Sequence, residues 1–465
     1  MPSHVQVAVI GAGISGLSCA YRLRQRGLSV VVLESRPQAG GVIGTVERNG
    51  FLFESGPQSF LAIKSIMELI RALGIEDEVL EANFRAPRYV YKRGRLHSVP
   101  MSPPAILTTS LLSFSSRIRV ISEPFRRTAP PKFDESVSDF VRRKFGQEIL
   151  EYLVAPFVSG VYAGDPEFLS LKSAFPSLEE WERQHGSIIR GAINSRKAES
   201  GPRPGLCSFR GGMKTLMHAL TRHLDHALIS GVEVDSVERS GFGFTVRYKR
   251  GGQHEQLSVP AVVVAVPAYV ASRLLQRMSP SLAKSLDSIS YAPVGVVAFG
   301  YRRKQVGNSL IGFGVLIPRK EGFSTLGTVW NSSLFPGCAP AECVLMTSFV
   351  GGATDPEIVQ QDDGHISSIV EQEVRDILEI SGLPVERQIW RHAKGLPQYN
   401  LGHGHTLATI KNDLAGVPGL FTSGNYWIGP SIGNCVEASN LAADSAEAFI
   451  SGGKAAAESE VPAAS

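Results

Sequence analysis

Val5-Gln6-Val7-Ala8-Val9-Ile10-Gly11-Ala12-Gly13-Ile14-Ser15-Gly16-Leu17 opens the chain, and the spacing of its glycines decides the fold. Residues 5–10 are a short apolar run of strand type, and residues 17–26 read as a helix closed by Gly27. Residues 30–33 form a second β-branched run ending at Glu34, which completes a strand–helix–strand unit. Between the first strand and the helix the glycines fit G-x-G-x-x-G. Gly11 permits a tight turn, Gly13 lets backbone approach a pyrophosphate, and Gly16 lets helix and strand pack closely. Ala12, Ile14 and Ser15 fill the positions between, where unpaired N–H groups and the helix dipole favour an anion. About twenty residues on, the Glu34 carboxylate is placed to accept hydrogen bonds from a ribose diol and to repel a 2′-phosphate. The glycine pattern alone is common. A strand before it, a helix after it and an acid at this distance make it a dinucleotide site.

The next stretch, Glu34-Ser35-Arg36-Pro37-Gln38-Ala39-Gly40-Gly41-Val42, leads to Gly56-Pro57-Gln58-Ser59. A Gly-Gly turn brings backbone against a pyrophosphate and Arg36 can neutralise it, although an ordinary polar loop also tolerates such a pair. The far end of the chain repeats the logic. A strand over 419–423 closes on Gly424-Asn425, and Gly429-Pro430-Ser431-Ile432-Gly433 precedes a helix over 435–450.

At 465 residues the chain is too long for one core, so two or three packed units are expected. Its 43% hydrophobic and 19% charged content is that of a soluble globular protein. A net charge of +4 is too weak to argue for nucleic acid, yet suits an anionic ligand or surface. Cys19, Cys207, Cys338, Cys343 and Cys435 lack zinc-type spacing, so reduced thiols and a cytoplasmic location are expected. No signal peptide and no membrane span are expected. Residues 63–73 and 215–226 read as helices, and 137–154 as one amphipathic helix. Residues 232–237, 242–248 and 261–266 read as strands, and 294–299, 312–317 and 343–350 as a second, mixed sheet. The stretch 195–206 looks like a linker, and the small, polar tail from Ser451 is expected to be disordered.

Further blocks narrow the reading. Gly160-Val161-Tyr162-Ala163-Gly164-Asp165, Leu169-Ser170 and Phe175-Pro176-Ser177-Leu178 come first. Phe209-Arg210-Gly211-Gly212-Met213, Gly312-Phe313-Gly314-Val315-Leu316-Ile317-Pro318 and Leu396-Pro397-Gln398-Tyr399 follow. In this order, over nearly the whole chain, they resemble the protoporphyrinogen oxidase family of the flavin amine oxidase superfamily. The resemblance implies an α/β fold with a Rossmann-type FAD-binding domain from 1–85, 205–290 and 390–455. It adds a mixed-sheet substrate-binding domain from 86–90, 159–204 and 291–389, a mostly helical lobe over 91–158 and a disordered tail over 456–465.

The resemblance also implies non-covalent FAD, with the backbone at Val234 holding adenine. The C-terminal helix, led by Gly424, Asn425, Pro430, Ser431 and Ile432, would aim its positive end at the isoalloxazine. Arg88 matches an arginine that pairs with a substrate propionate, a task suited to a guanidinium. Phe313, Leu316, Phe349 and Leu396 match residues that sandwich tetrapyrrole rings, and Gly160 a position of close approach. Read from the residues alone, Arg88 also suits a protein surface and the four apolar residues suit a plain core. No nucleophile–base pair and no metal-ligand cluster stands out, as expected where a flavin performs the chemistry.

The implied reaction is stepwise six-electron oxidation of protoporphyrinogen IX to protoporphyrin IX, with oxygen reduced to hydrogen peroxide. The implied partners are a tetrapyrrole and oxygen, with room for a homodimer and for hand-off to ferrochelatase. Residues 105–112 with Arg117, Arg119, Arg126 and Arg127 suit either a peripheral contact with an anionic membrane face or an internal helix beside a solvated basic stretch. Coproporphyrinogen III oxidation, an amine oxidase or carotenoid desaturase, and a non-catalytic escort-type scaffold stay open. Two departures bear on this choice. Gly433-Asn434-Cys435 stands where the family often has an Asp, and Tyr426-Trp427 is similar to the aromatic cage of amine oxidases.

Overall fold

The computed structural model describes residues 4–83, 85–126, 131, 133–198, 204–241 and 243–459. Val7–Ile10 is buried along its whole length, as a strand with apolar side chains on both faces must be in a central parallel position. It pairs in parallel with Val30–Glu34 on one side and Ala261–Val264 on the other. Leu228–Ser230 and Leu420–Thr422 extend the two edges, giving a five-stranded parallel sheet among the described residues. The helices Ile14–Gln25, Lys214–Leu224 and Ile432–Ser459 cover one face. An antiparallel meander, Val232–Ser240, Gly243–Arg250 and Gln253–Val259, covers the other with the helices Ala268–Leu275, Pro280–Asp287 and His403–Ala415. The sequence reading misses Gln253–Val259, because this edge strand is polar and mostly exposed.

The second sheet has seven strands, in the order Glu386–Pro397, Tyr291–Arg302, Cys343–Gly351, Thr325–Val329, Gly314–Leu316, Arg88–Lys92 and Arg95–Ser98. The Gly314–Leu316 and Arg88–Lys92 strands run parallel and the other neighbours antiparallel. Val297, Phe299, Tyr301, Val315, Met346 and Val350 point to one face, where they form a core with the helix Asp363–Leu378.

The stretch between the sheets corrects several expectations. Arg95–Ser98 forms a hairpin with Arg88–Lys92, so residues 91–98 belong to the second sheet and not to a helical lobe. The expected single helix over 137–154 is broken. Val137–Lys144 stops where Gly146 adopts φ +94°, and Gln147–Ile149, a π-turn over Leu150–Val154 and Ala155–Tyr162 follow. A side chain at Gly146 would also meet Arg119, whose Cδ and Nε lie 3.1 Å from the position of a Cβ. The apolar stretch 105–112 is no continuous surface helix. The helix Pro103–Thr108 ends before Leu111 and Leu112, which are buried in the lobe core. The exposed apolar face lies further on, at Phe114, Ile118, Ile121 and Phe125.

Arg127 lies outside the described residues. So do residues 199–203 of the expected linker, which otherwise begins in the helix Ile188–Ala198 and ends in the strand Leu206–Phe209. The C-terminal helix runs to Ser459, past the Ser451 start of the expected disordered tail, because its alanines and glutamate favour helix. Residues 460–465 lie outside the described residues. Among the described residues no helix is long and apolar enough to cross a membrane.

Candidate active site

Which glycines have free space around them separates packing from binding. A Cβ on Gly16 would sit 1.8 Å from the Gly11 carbonyl oxygen, and one on Gly11 2.7 Å from that of Ala265. These two glycines seat the helix on the sheet. Around Gly13, by contrast, a Cβ would meet nothing within 4 Å. Gly13 caps the helix Ile14–Gln25 without any side-chain hydrogen bond, so the first-turn N–H groups face open space. The second loop closes over this point. Gly40 N–H donates to the Ala12 carbonyl at 2.8 Å, and Gly41, at φ +64°, would place a Cβ 3.2 Å from the Gly13 Cα. A groove of bare backbone at a helix N-terminus fits a pyrophosphate.

The flanking residues fit the rest of a dinucleotide. Glu34 is buried, accepting from Ala12 N–H at 2.7 Å and Arg36 N–H at 2.8 Å. A carboxylate has about four acceptor sites, so capacity for a ribose diol remains. Ser35 and Arg36 are exposed at the rim, with Arg36 donating to the Gly41 carbonyl at 2.9 Å. Gly231 N–H donates to the Arg36 carbonyl at 3.1 Å, which brings the strand carrying Val234, and a bulge beside it, to the ribose end. Val42 is exposed toward the groove, and Gly56 approaches its carbonyl too closely for any side chain, 2.3 Å from a Cβ. Pro57 and Ser59 are half-buried, while Gln58 is buried. At the other end Ser431 caps the C-terminal helix through Asn434 N–H at 3.2 Å, next to buried Ile432 and half-buried Pro430.

Several residues that hold these segments escape the sequence reading, since they carry no motif of their own. His392 Nε2 donates to the Ser55 carbonyl at 2.8 Å, and Asn331 Nδ2 to Gln58 Oε1 at 2.8 Å. Both come from the second sheet or its connections. Tyr399 donates through its hydroxyl to the Asn425 carbonyl, and His403 Nε2 to that of Tyr426 at 3.0 Å. Burial lowers the His403 pKa, which keeps the ring neutral. Glu54 ties three segments together, accepting from Met213 N–H at 2.9 Å and Thr45 Oγ1 at 2.8 Å. Loss of solvation pushes its carboxyl up to about 7.

The other face of the second sheet carries the substrate candidates, with the helix Ala155–Tyr162 packed on its Gly314–Leu316 and Thr325–Val329 strands. Leu316 pairs with Gly327, Gly327 with Phe349, Phe349 with Val296, and Val296 with Trp390, so these share one rung and one face. Gly327 carries no side chain between Leu316 and Phe349, and a Cβ there would lie 2.7 Å from the Val315 carbonyl oxygen and 3.3 Å from Leu316 Cδ2, so Leu316 closes over this glycine. Leu396, opposite Ala292, belongs to the same small cluster as Phe349. Leu316, Phe349, Leu396 and Phe313 are all half-buried, whereas Val315 and Val350 on the opposite face are fully buried. Leu316 packs toward the lobe core, Phe349 and Leu396 toward a small cluster with Ala163 and Val296, and Phe313 toward Leu334 and Phe335. Gly160 faces the same wall, and a Cβ there would lie 2.9 Å from Leu316 Cδ2. Arg88 stands two residues from Val90, which pairs with Leu316, and so lies on the same face. Its guanidinium carbon lies 5.1 Å from the centre of the Phe313 ring. Among the described residues no carboxylate pairs with it.

Tyr426 and Trp427 do not form an aromatic cage in this cleft. Tyr426 is fully buried and packs with Leu282, Leu286 and Ile410, with Trp427 against the same core. Among the described residues no cluster of potential metal ligands occurs.

The model of the family "Flavin containing amine oxidoreductase" matches residues 14–446. The chain is 35% identical to the chloroplastic protoporphyrinogen oxidase of Nicotiana tabacum, over 97% of this chain and 86% of that one. It is 29% identical to the coproporphyrinogen III oxidase of Bacillus subtilis, over 96% and 98% of the two. A crystal structure from Exiguobacterium sp., provisionally described as a protoporphyrinogen oxidase, superposes with a TM-score of 0.83. It covers 96% of this chain and 99% of its own at 22% identity, a likeness of fold. The chain belongs to the flavin-containing amine oxidoreductase family, in the branch of the protoporphyrinogen oxidases, and its cofactor is FAD.

Proposed function

We propose that this FAD-dependent oxidoreductase oxidises protoporphyrinogen IX to protoporphyrin IX, passing electrons to oxygen and releasing hydrogen peroxide. The observation that carries the reading is the half-buried wall of Leu316, Phe349 and Leu396 with an unpaired Arg88 on its face. Half-buried apolar residues beside a lone guanidinium suit a flat, apolar macrocycle that bears carboxylates. When bound, FAD supplies hydride acceptance and onward electron transfer. The chain's own residues bind and orient. Arg88 holds a propionate, Gly160 and Gly327 let Leu316 lie close to both backbones, and the apolar wall excludes water.

The likeness to the Nicotiana tabacum relative supports protoporphyrinogen over coproporphyrinogen, the substrate named in the Bacillus subtilis relative. The burial of Tyr426 counts against amine oxidation, and the fit of the glycine groove counts against an escort-type scaffold. Oxygen-dependent turnover of the purified FAD protein on both porphyrinogens, measured side by side, tests the reading. Faster turnover of protoporphyrinogen is expected. Faster coproporphyrinogen turnover moves the assignment to that substrate, and no turnover of either ends it.

A further inference from the structure

We propose that the helical lobe carries a second anion site, apart from the dinucleotide groove, that takes a phosphate group. It lies in an open cavity of about 760 Å³ between the helix Phe114–Ile121, the turn at Gly146 and the Arg88–Ser98 hairpin. Arg93, Arg119 and Arg126 line it, and among the described residues none of the three guanidinium groups forms an ion pair with a carboxylate. The other charges of the cavity cancel. Lys92 pairs with Glu148 at 2.9 Å, and Lys320 with Glu151 at 2.7 Å. Glu123, between the two inner arginines in sequence, turns away, accepting from Ser187 Oγ at 2.6 Å and Ile188 N–H at 3.0 Å. Three guanidinium groups thus line the cavity without an ion-pair partner, and the Glu321 carboxylate is bound to the backbone N–H of Arg93 at 2.8 Å.

The inner two arginines are held in place by backbone. Arg119 Nη2 donates to the Arg142 and Arg143 carbonyls at 2.9 and 3.2 Å, and Arg126 Nη2 to those of Arg119 and Lys144 at 2.8 and 2.5 Å. These bonds satisfy the last carbonyls of the helix Val137–Lys144, which explains where the side chains lie. They do not neutralise the charge, and Nη1 of each has no protein partner among the described residues. Ser116 and Ser122 add hydroxyls, and Phe145 and Tyr152 apolar wall. Pre-positioned guanidinium donors beside hydroxyls match the tetrahedral oxygens of a phosphate. The cavity exceeds a bare phosphate, so the group arrives on a larger molecule. Ile118 lines the cavity, and Phe114, Ile121 and Phe125 near it in sequence are exposed too, so a phospholipid headgroup and a soluble phosphate ester share this chemistry.

Calorimetric titration of the FAD-loaded full chain with inorganic phosphate at low salt tests the site. Saturable binding is expected, weakened by added salt. Arg93→Gln should weaken it about tenfold, the worth of one charge-assisted contact. Arg93 is exposed, so FAD content and Tm should not move in this variant. Arg119→Gln with Arg126→Gln should remove binding. Sedimentation with phosphatidylglycerol vesicles, against phosphatidylcholine vesicles, separates the sources. If Arg93→Gln weakens both phosphate and phosphatidylglycerol binding, a lipid headgroup is the occupant. If it weakens phosphate alone, a soluble ester is. No saturable phosphate binding by the unaltered protein, or binding unchanged in Arg93→Gln, overturns the proposal.

Discussion

The glycine groove and the substrate wall are both backbone-built, yet they are specified in opposite ways. The groove is local. Gly11, Gly13, Gly16 and Glu34 lie within one strand–helix–strand unit, where Gly16 packs on Gly11 and Glu34 accepts from Ala12 N–H. The wall is assembled from Arg88, Gly160, Leu316, Phe349 and Leu396, drawn from strands and a helix far apart in the chain. Only the sheet order and register put Leu316, Gly327 and Phe349 on one rung. A local site fails by collision when it is altered. A register-built site can lose a contact while its frame stands.

The sharpest break between the two comes from the glycines themselves. Gly16→Val should abolish folding around FAD, since its Cβ would lie 1.8 Å from backbone oxygen that cannot move aside. Gly13→Ala should behave otherwise, because nothing lies within 4 Å of its Cβ. The protein should fold with near-normal apoprotein Tm but lose at least about tenfold in FAD affinity, a cost of ~1.4 kcal/mol. Flavin absorbance and thermal melts of both variants check this. Equal damage in the two would mean that Gly13 is a packing residue as well.

Glu54 tests the seam that joins the groove to the rest. Below its ordinary pKa of 4.5 both folded and unfolded forms hold the proton, and no pH dependence arises. Between 4.5 and about 7 the unfolded chain ionises first, so it binds fewer protons and stability falls as pH rises. Above about 7 the loss is complete, on the order of 3 kcal/mol. Glu54→Gln keeps an acceptor for Met213 N–H and removes the titration. Its Tm should therefore decline less than the unaltered protein's from pH 5 to 8, and parallel curves would discard the role.

Arg88 probes the wall, with an expected effect on substrate and none on cofactor. Arg88→Ala should raise KM for the porphyrinogen about ten- to a hundredfold, the equivalent of roughly 1.5–3 kcal/mol for a charged hydrogen bond. Arg88→Lys should recover only part, as a point charge replaces a planar fork. FAD content should stay constant, because Arg88 sits in a strand of the second sheet and not in the glycine groove. A KM that ignores both substitutions would leave Arg88 as a partner of Phe313 alone.

The strand–helix–strand unit, the five-stranded sheet's central strands and the glycine groove were legible in the residues. Glycine geometry and β-branched runs act over a few positions, and 3.6- and 2-residue periods are written locally. Tertiary structure alone decided three things. The break at Gly146 arises where Arg119 packs on a glycine in left-handed conformation, which helical periodicity cannot register. The place of Gly327 on one rung with Leu316 and Phe349 depends on a register shift between Thr325 and Gly327. The third is the fate of Tyr426, which reads as a cage residue in sequence and is buried against Leu282, Leu286 and Ile410. Each depends on contacts between residues distant in the chain, and a one-dimensional pattern carries the identity of a side chain but not its neighbour across a sheet or a helix.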